Sequence, residues 1–210
     1  MAASKRITDA TVEPITSATV KLQARIDSTA EDALITTLIK AARQKIESVT
    51  GCALINQTWT YAIDAAPAGL SAEWYVEHQI RMSWNPGVGD VIELPVMPVS
   101  SVTKIEYYGT DNVATEFSSD YYRLDSRSES GRRARVYLNV GSIWPTSLRS
   151  RDALVVTYVA GYGAAASAVP SPLTLACNQL VAHWFNDREA TGAVPQGILD
   201  LTREYTYVGV

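Results

Sequence analysis

The residues best suited to acid–base chemistry are the two histidines, His78 and His183, which lie in different predicted elements. His183 precedes Asp187 and Glu189, and on a helix His183 and Asp187 share one face. A carboxylate that orients an imidazole is typical of a general base. However, the sequence contains no G-x-S-x-G, H-E-x-x-H or catalytic-cysteine motif. We therefore favour a surface histidine beside a carboxylate, and an acid–base enzyme that uses His183 is the weaker alternative.

A glycine-rich stretch, YVAGYGAAASAVPSPL at residues 158–173, follows a predicted strand and precedes a predicted helix. Loops of this kind can hold a phosphate through their backbone N–H groups. Here no Lys-Ser or Lys-Thr pair and no third glycine follow, and Pro170 separates the glycines from the helix. We therefore expect no nucleotide and no other cofactor. Gly161 and Gly163 are expected to turn the backbone out of the sheet at positive φ, where a side chain would clash.

Arginines are concentrated in the middle of the chain, where positions 123–151 hold seven of the 18 basic residues. The stretch DSRSESGRR at residues 125–133 is typical of a solvated hairpin tip. The alternative is a surface that faces DNA phosphates or an acidic partner subunit. The candidate DNA-facing or subunit-facing residues are Arg127, Arg132, Arg133 and Arg135.

The composition limits the class of protein. With 47% hydrophobic and 19% charged residues, the chain has the composition of a globular domain. A net charge of −4 opposes a protein whose whole surface binds nucleic acid. The only cysteines, Cys52 and Cys177, have no metal-ligand spacing, so we expect both to be buried and no metal to be bound.

Targeting and membrane segments are not predicted. No apolar run follows the basic pair near the N-terminus, so the pattern of a secretory signal is missing. Residues 153–186 carry no Asp, Glu, Lys or Arg, but prolines, glycines and polar residues divide this stretch into short apolar pieces. We therefore expect no membrane span.

Helical periodicity marks the N-terminal quarter. The stretch STAEDALITTLIKAARQKIESVTG at residues 28–51 has apolar residues at spacings of three and four. Ser28 and Glu31 predict a capping box at its start, and Gly51 is predicted to end it. A shorter helix is predicted upstream, turning at Asp27.

Helical periodicity returns near the C-terminus. The stretch SPLTLACNQLVAHWFNDREATG at residues 171–192 predicts a helix capped by Ser171, with Pro172 at its first position and Gly192 at its end. A last short helix is predicted over about residues 195–205.

Between these helices the apolar pattern has a period of two. QTWTYAID, WYVEHQIRMSW, DVIELP, SVTKIEYYG, YYRLD, ARVYLNV and ALVVTYVAG all read as strands, separated by turn signals. Because no long helical pattern separates them, the sheet is predicted to be mainly antiparallel. The predicted fold class is α+β, with the N- and C-terminal helices packed as a small helical bundle and a β module inserted between them.

The five tryptophans and eleven tyrosines suit cores and protein interfaces alike.

Several of the stretches quoted above occur in the same order as motifs of a known family. These are AAR..IE..TG.AL, then QTW, then LP..PV.SV..I.YY, then Y.AGYG followed by VP..L..A...L..HW...RE. With these motifs in this order, the chain resembles the head-to-tail connector, or adaptor, proteins of tailed bacteriophages and gene transfer agents. The resemblance covers about residues 20–205.

The resemblance implies a non-enzymatic virion protein. Such adaptors form a ring, usually of twelve subunits, beneath the portal protein in the virion neck, and they are made in the host bacterial cytoplasm. They join the capsid to the tail, contact a tail-side connector or tail terminator protein, and continue the DNA channel, with transient non-specific contact to the genome. The alternative that the residues leave open is a small phage-associated DNA-binding module that uses the arginines.

The resemblance also assigns parts of the chain. It implies an N-terminal arm at 1–14, a helical connector core at 15–51 and 170–205, an inserted β module at 55–163 and a C-terminal tail at 206–210. In this family the helices carry the ring and the C-terminal segment docks on the portal. The implied portal-binding residues are Arg203, Tyr205, Tyr207, Val208 and Val210.

Overall fold

In a computed structural model of the chain, the described residues are 3–66, 91–126, 133–187 and 194–206. Within these ranges the fold contains four α-helices, two sheets and three short 3-10 turns. The helices are α1 (Ser17–Ala24), α2 (Asp32–Thr50), α3 (Ser171–Asn186) and α4 (Gln196–Thr202). The strands are β1 (Ala3–Thr8), β2 (Gln57–Ile63), β3 (Val91–Glu93), β4 (Val99–Tyr108), β5 (Ala114–Phe117), β6 (Tyr122–Asp125), β7 (Arg135–Leu138) and β8 (Leu154–Ala160).

Every strand pair within the described residues is antiparallel. One sheet has five strands in the order β1-β2-β8-β4-β5, and the other has three in the order β3-β7-β6. The predicted α+β class with antiparallel sheets is therefore confirmed. The predicted strand WYVEHQIRMSW lies outside the described residues.

Two strands have no counterpart in the sequence-based prediction. β1 pairs with β2 so that Ser4 faces Tyr61 and Arg6 faces Trp59. The N-terminal arm thus supplies an edge strand of the five-stranded sheet. β5 forms the opposite edge, and its first three residues are exposed. Strand β1 is mostly polar and β5 has only four residues, so period-two hydrophobicity is weak in both edge strands.

Helix α2 buries the apolar stripe that its periodicity predicts, and Ile35, Ile39 and Ile46 lie in the core. Gly51 ends it in the left-handed region at φ 72°, as predicted. The predicted capping box is wrong. The Ser28 hydroxyl accepts the Ala30 N–H two residues later, and the helix begins only at residue 32, so Ser28 is too far upstream to cap it.

The C-terminal helices follow the prediction with two corrections: Ser171 is not the N-cap of α3, and Pro172 is its second residue and not its first. Ser171 does not cap α3, because Pro170 holds the extended N-cap position and Ser171 is already the first helical residue. The predicted helix over 195–205 is present as α4 and a 3-10 turn from Arg203 to Tyr205. The predicted stop at Gly192 lies outside the described residues.

Two apolar clusters form the core. The helical cluster joins α1, α2, α3 and α4, and α3 contacts each of the other three helices. The β cluster joins the facing side chains of both sheets and includes Trp144 and Tyr158. Tyr162, just after β8, packs against both clusters. Strand β8 therefore leads from the β cluster directly into the helical one.

Candidate interaction surfaces

The glycine-rich segment after β8 makes a close backbone crossing. Gly161 has φ +146°, and a Cβ placed there would lie 2.5 Å from the backbone N of Asn56. Its own N–H donates to the carbonyl of Pro98 at 2.8 Å, and the N–H of Asn56 donates to the carbonyl of Gly163 at 3.0 Å. The predicted positive φ is confirmed at Gly161 but is wrong at Gly163, where close packing on the Ala168 side chain, and not a left-handed backbone, favours glycine. These amides are used inside the fold, so they do not form a phosphate cradle.

Of the two histidines, only His183 lies within the described residues. His183 is half-buried near the end of α3, and its backbone carbonyl accepts the N–H of Asp187 at 2.9 Å. His78 and Glu189 lie outside the described residues. No group of three or more His, Cys, Asp or Glu side chains is placed to hold a metal within the described ranges.

Both cysteines are free and buried, as predicted. Burial raises the pKa of the Cys52 thiol to about 11 and that of Cys177 to about 12. Both thiols are therefore protonated near neutral pH. The Cys52 S–H donates to the carbonyl of Tyr205 at 3.2 Å, which joins the end of α2 to the C-terminal end of the described chain.

The predicted arginine surface is only partly described. Arg127 and Arg132 lie outside the described residues, whereas Arg133 is half-buried beside β7. Arg135 forms an ion pair with Glu93 on the adjacent strand β3. Hydrogen bonds to Tyr137 and Glu93 raise the pKa of Arg135. The charge of Arg135 is therefore shared with a neighbouring carboxylate.

A second arginine of the same stretch serves the fold. The guanidinium of Arg149 lies 3.8 Å from the ring centroid of Tyr108, a cation–π contact. It also donates to the carbonyl oxygens of Arg151 and Asp152, at 2.7 Å and 2.8 Å. Arg149 thereby fixes the loop that leads into β8.

A buried polar cluster at the start of the chain has no counterpart in the sequence-based prediction. Arg43, on α2, is fully buried. Its Nε lies 2.8 Å from Glu13 Oε2, its Nη1 3.0 Å from Glu47 Oε2 and its Nη2 3.1 Å from Asp9 Oδ1. The i, i+4 spacing of Arg43 and Glu47 within an apolar stripe is the sequence signal that could have indicated it. We call this group the polar junction.

The polar junction connects three parts of the chain. Glu47 Oε1 accepts the backbone N–H of Leu54 at 3.1 Å and the side-chain amide of Gln57 at 2.6 Å, so it joins α2 to the start of β2. Asp9 and Glu13 belong to the segment after β1. The N-terminal arm, α2 and β2 are therefore held at one point by charge-assisted hydrogen bonds.

Burial and charge act in opposite directions on these carboxylates. Burial raises the pKa of Glu47 above its ordinary value, although Arg43 and the N–H of Leu54 act to lower it. For Asp9, burial acts to raise the pKa, but the Ala10 N–H and the guanidiniums of Arg43 and Arg6 outweigh it, and the pKa is lowered.

Exposed apolar side chains collect at one end of the β region. Val140 and Ile143 project from the loop after β7, with Ile143 77% exposed, and Tyr121 is half exposed. The N–H of Asn139 donates to the carbonyl of Tyr121 at 2.8 Å, which ties this loop to the turn before β6. Beneath them Phe117 packs on neighbouring aromatic rings. We call Tyr121, Val140 and Ile143 the apolar tip.

The implied portal-binding residues begin at the end of α4. Arg203 is exposed in the 3-10 turn, and Tyr205 is half-buried against the helical cluster. Tyr207, Val208 and Val210 lie outside the described residues. None of the described helices is long and apolar enough to cross a bilayer.

The chain matches a family model described as phage gp6-like head-tail connector protein over residues 15–129. It is similar over 99% of its length to a chain from the neck of an empty GTA particle computed with C6 symmetry, at 25% identity and a TM-score of 0.74, covering 97% of that chain. A chain from the virion of a native gene transfer agent particle gives the same identity and TM-score, with 96% of that chain covered.

A chain from the neck of a native GTA particle computed with C12 symmetry has the same fold, with a TM-score of 0.68 at 24% identity, covering 99% of this chain and 97% of that one. No curated protein matches the chain at a significant level. The fold, two antiparallel sheets beside four helices, thus defines a structural component of the head–tail connector type. The chain belongs to the phage gp6-like head-tail connector family.

Proposed function

We propose that this chain is one subunit of a ring in the neck of a phage or gene transfer agent particle. The ring lies beneath the portal, joins the capsid to the tail and continues the DNA channel. The observation that carries the proposal is the similarity to a GTA neck chain over 99% of this chain and 97% of that chain. Similarity over the whole length supports the proposal because the chain has the fold of a complete neck subunit and not only of a part of one.

The ring contact and subunit number form the next part of the proposal. Each subunit of a ring joins two different patches, one to each neighbour. The apolar tip supports such a contact, because a soluble chain that exposes Val140 and Ile143 gains by covering them. The sixfold symmetry of the similar neck is compatible with twelve subunits.

Within each subunit, we assign the ring to the helices. We propose that residues 15–51 and 170–205 form a small helical bundle that is the connector core, with 55–163 as the inserted β module. The contacts of α3 with the other three helices support this division. The arm at 1–14 adds β1 to the sheet, and the tail is 206–210.

The partners follow from this placement. We propose that Arg203, Tyr205, Tyr207, Val208 and Val210 contact the portal, which the exposure of Arg203 at the end of the described chain supports. A tail-side connector or tail terminator protein binds the opposite face. Assembly takes place in the host bacterial cytoplasm before the subunit becomes part of the virion neck.

Arg127, Arg132, Arg133 and Arg135 face either a neighbouring subunit or the DNA channel. The ion pair between Arg135 and Glu93 supports the subunit contact, because a paired arginine has less charge to offer a phosphate. Transient non-specific contact with DNA suits a chain with net charge −4, since a strongly basic channel would retain the genome.

The proposed connector is not an enzyme. The family is one of structural head–tail connectors. Replacing His183 with Ala tests this directly. We expect particles to assemble and to deliver DNA as before. If the particles assemble normally but no longer deliver DNA, the result would instead favour a catalytic role for His183.

The central experiment deletes the gene for this chain from the genome that encodes the particle. We expect DNA-filled heads without tails in electron micrographs, and rescue by the wild-type gene supplied in trans. Purified chain mixed with its cognate portal is expected to give a portal-bound ring by native mass spectrometry. Tailed, functional particles in the absence of the chain would refute the proposal.

A further inference from the structure

A groove of about 480 Å³ lies beside the C-terminal end of α2. Its lining comes from β1, α2, β2 and the segment before β4. The lining residues are Ser4, Arg6, Gln44, Glu47, Ser48, Gly51, Cys52, Trp59, Pro95 and Val96. The volume falls within the range that binds small ligands and short peptides. We call it the α2–β2 groove.

The end of the described chain contacts one residue of this groove. Cys52 lines the groove, and its S–H donates to the carbonyl of Tyr205 at 3.2 Å. Thr206 follows, held by its hydroxyl to the carbonyl of Thr202 at 3.0 Å. The described chain therefore ends one residue after Tyr205, whose carbonyl contacts a side chain that lines the groove.

The two charged residues of the groove, Arg6 and Glu47, lie 3.7 Å apart and offset each other's charge, so the groove suits an uncharged apolar peptide. Trp59, Pro95 and Val96 provide apolar surface, and serine and glutamine side chains provide hydrogen-bonding partners for a backbone. The indole N–H of Trp59 is buried and has no hydrogen-bond acceptor among the described residues. A buried donor without an acceptor is unfavourable, so an acceptor supplied here stabilises the occupied groove.

We propose that residues 207–210 occupy the α2–β2 groove in the free subunit. Their sequence, YVGV, contains no charge and three side chains that gain by leaving water. Four extended residues reach at most about 14 Å, which is enough to run along a groove that begins at Cys52. The occupant is thus the chain's own terminal segment, bound in the same molecule.

The consequence for assembly rests on the proposed function, which assigns the same segment to the portal. If 207–210 are held in the groove, the portal must compete with an intramolecular site. A short linker gives such a site an effective concentration in the millimolar range. Free subunits then bind the portal more weakly than subunits with a disabled groove.

The test is a disulfide trap in the isolated full-length chain. Ser48 is exposed and lines the groove, so Ser48→Cys combined with Val208→Cys brings two thiols together. The matched control is Thr115→Cys with Val208→Cys. Thr115 is exposed on β5, at the opposite edge of the five-stranded sheet from β1, about 19 Å away at the usual strand spacing.

Under mild oxidation at micromolar concentration, we expect the groove pair to form an intramolecular bond at least about tenfold faster than the control pair. Peptide mapping identifies the bonded cysteines, since both native thiols are buried. Equal rates for the two pairs would overturn the proposal. A covalent dimer would also overturn it, because the segment would then belong to a second copy.

A second measurement needs no engineered thiol. The indole N–H resonance of Trp59, assigned with Trp59→Phe, is expected to shift when the chain is truncated after Thr206. The exposed substitution Val113→Ser leaves it in place. An unchanged Trp59 resonance after truncation would contradict occupancy of the groove by 207–210.

A portal-binding measurement tests separately whether 207–210 occupy the groove and whether they dock on the portal. The oxidised Ser48→Cys, Val208→Cys chain is expected to bind the cognate portal at least about tenfold more weakly than the reduced chain. If the trap forms but binding is unchanged, the groove assignment holds and portal docking by 207–210 is wrong.

Discussion

Removing the charge of Arg43 tests the polar junction most directly. Arg43→Met keeps the length and apolar stem of the side chain but leaves three carboxylates without their shared partner. Asp9 and Glu13 are about one-third exposed and recover water. Glu47 is only 9% exposed and does not. The cost of the substitution therefore falls mainly on Glu47.

The magnitude follows from what Glu47 retains. Breaking a buried ion pair by removing one partner costs about 3–5 kcal/mol. Glu47 keeps its hydrogen bonds from Leu54 and Gln57, and Arg6 Nη1 lies 3.7 Å from its Oε2. We therefore expect the lower end, about 3 kcal/mol of unfolding free energy. For a chain of this size that lowers Tm by about 6–12 °C.

The loss should depend on pH with a definite sign. The folded pKa of Glu47 lies above its ordinary value of 4.5, so this carboxyl favours folding while protonated and loses that contribution as pH rises through the folded pKa. Arg43→Met removes an interaction that lowers this pKa, and the pKa rises further. Below about pH 4.5, Glu47 is protonated in both states and the cost of Arg43→Met becomes smaller.

Urea unfolding at pH 7 and pH 4 measures both effects. Lys40→Met is the matched control, because it removes a charge from the same helix, and the exposed Lys40 contacts Asp9 at only 3.7 Å. We expect this control to cost at most about 1 kcal/mol. Adding Glu47→Gln to Arg43→Met should recover part of the loss. Equal effects of Arg43→Met and Lys40→Met would refute the reasoning.

Three further outcomes are expected. Gly161→Ala should prevent stable folding, because the new Cβ would lie 2.5 Å from backbone atoms. Gly197→Ala is the control, since this position on α4 has open space around it, and it should change stability by at most about 1 kcal/mol. Thermal melts of the two variants compare these effects. Cys52 and Cys177 should stay unreactive toward a thiol reagent at pH 8 and both react in guanidinium, since burial raises their pKa; native-state labelling would contradict this. Arg149→Lys should cost about 1 kcal/mol in urea unfolding, because a lysine cannot stack and donate to two carbonyls together, and an unchanged midpoint would argue against that role.

The sequence predicts the elements whose hydrophobic pattern is strong. Helix α2 and strand β8 bury one face, and strand β2 packs Trp59, Tyr61 and Ile63 partly buried against the β cluster. Their periods of 3.6 and 2 are therefore visible in the residues. Edge strands β1 and β5 have no such period. The pairing of β1 is set by a strand far away in the chain, since Arg6 lies opposite Trp59. Local strand propensity cannot predict such a contact, because it depends on residues distant in the sequence. Strand β5 pairs with β4, the strand just before it, but it is short and its first three residues are exposed.

The capping errors have a different origin. A serine followed by a glutamate three positions later satisfies the capping-box pattern, yet the Ser28 hydroxyl is used by Ala30 in a turn. At α1 the structure has a capping box that involves two threonines, Thr16 and Thr19. Pattern matching counts residue types, whereas the backbone angle at the candidate N-cap decides which hydroxyl can reach an amide.

The candidate surfaces show the same limit more strongly. The family resemblance correctly predicts a connector, but it does not indicate that Arg43 and Glu47 are buried. Their burial depends on β2 and the N-terminal arm folding over α2, a tertiary arrangement that no local window contains. Similarly, the α2–β2 groove is lined by residues from position 4 to position 96 and exists only once the sheet has formed.

The polar junction and the groove share residues, and this overlap links stability to assembly. Glu47 accepts hydrogen bonds within the junction and also lines the groove. Arg6 lines the groove as well, and its guanidinium lies 3.7 Å from Glu47 and 3.2 Å from Asp9. A segment that enters or leaves the groove changes the solvation of Glu47 and therefore the strength of its pair with Arg43. If 207–210 leave the groove to dock on the portal, the joint between the N-terminal arm, α2 and β2 should loosen at the same moment. Amide exchange at Leu54, whose N–H is bonded to Glu47, would then rise in the truncated chain relative to the full-length chain.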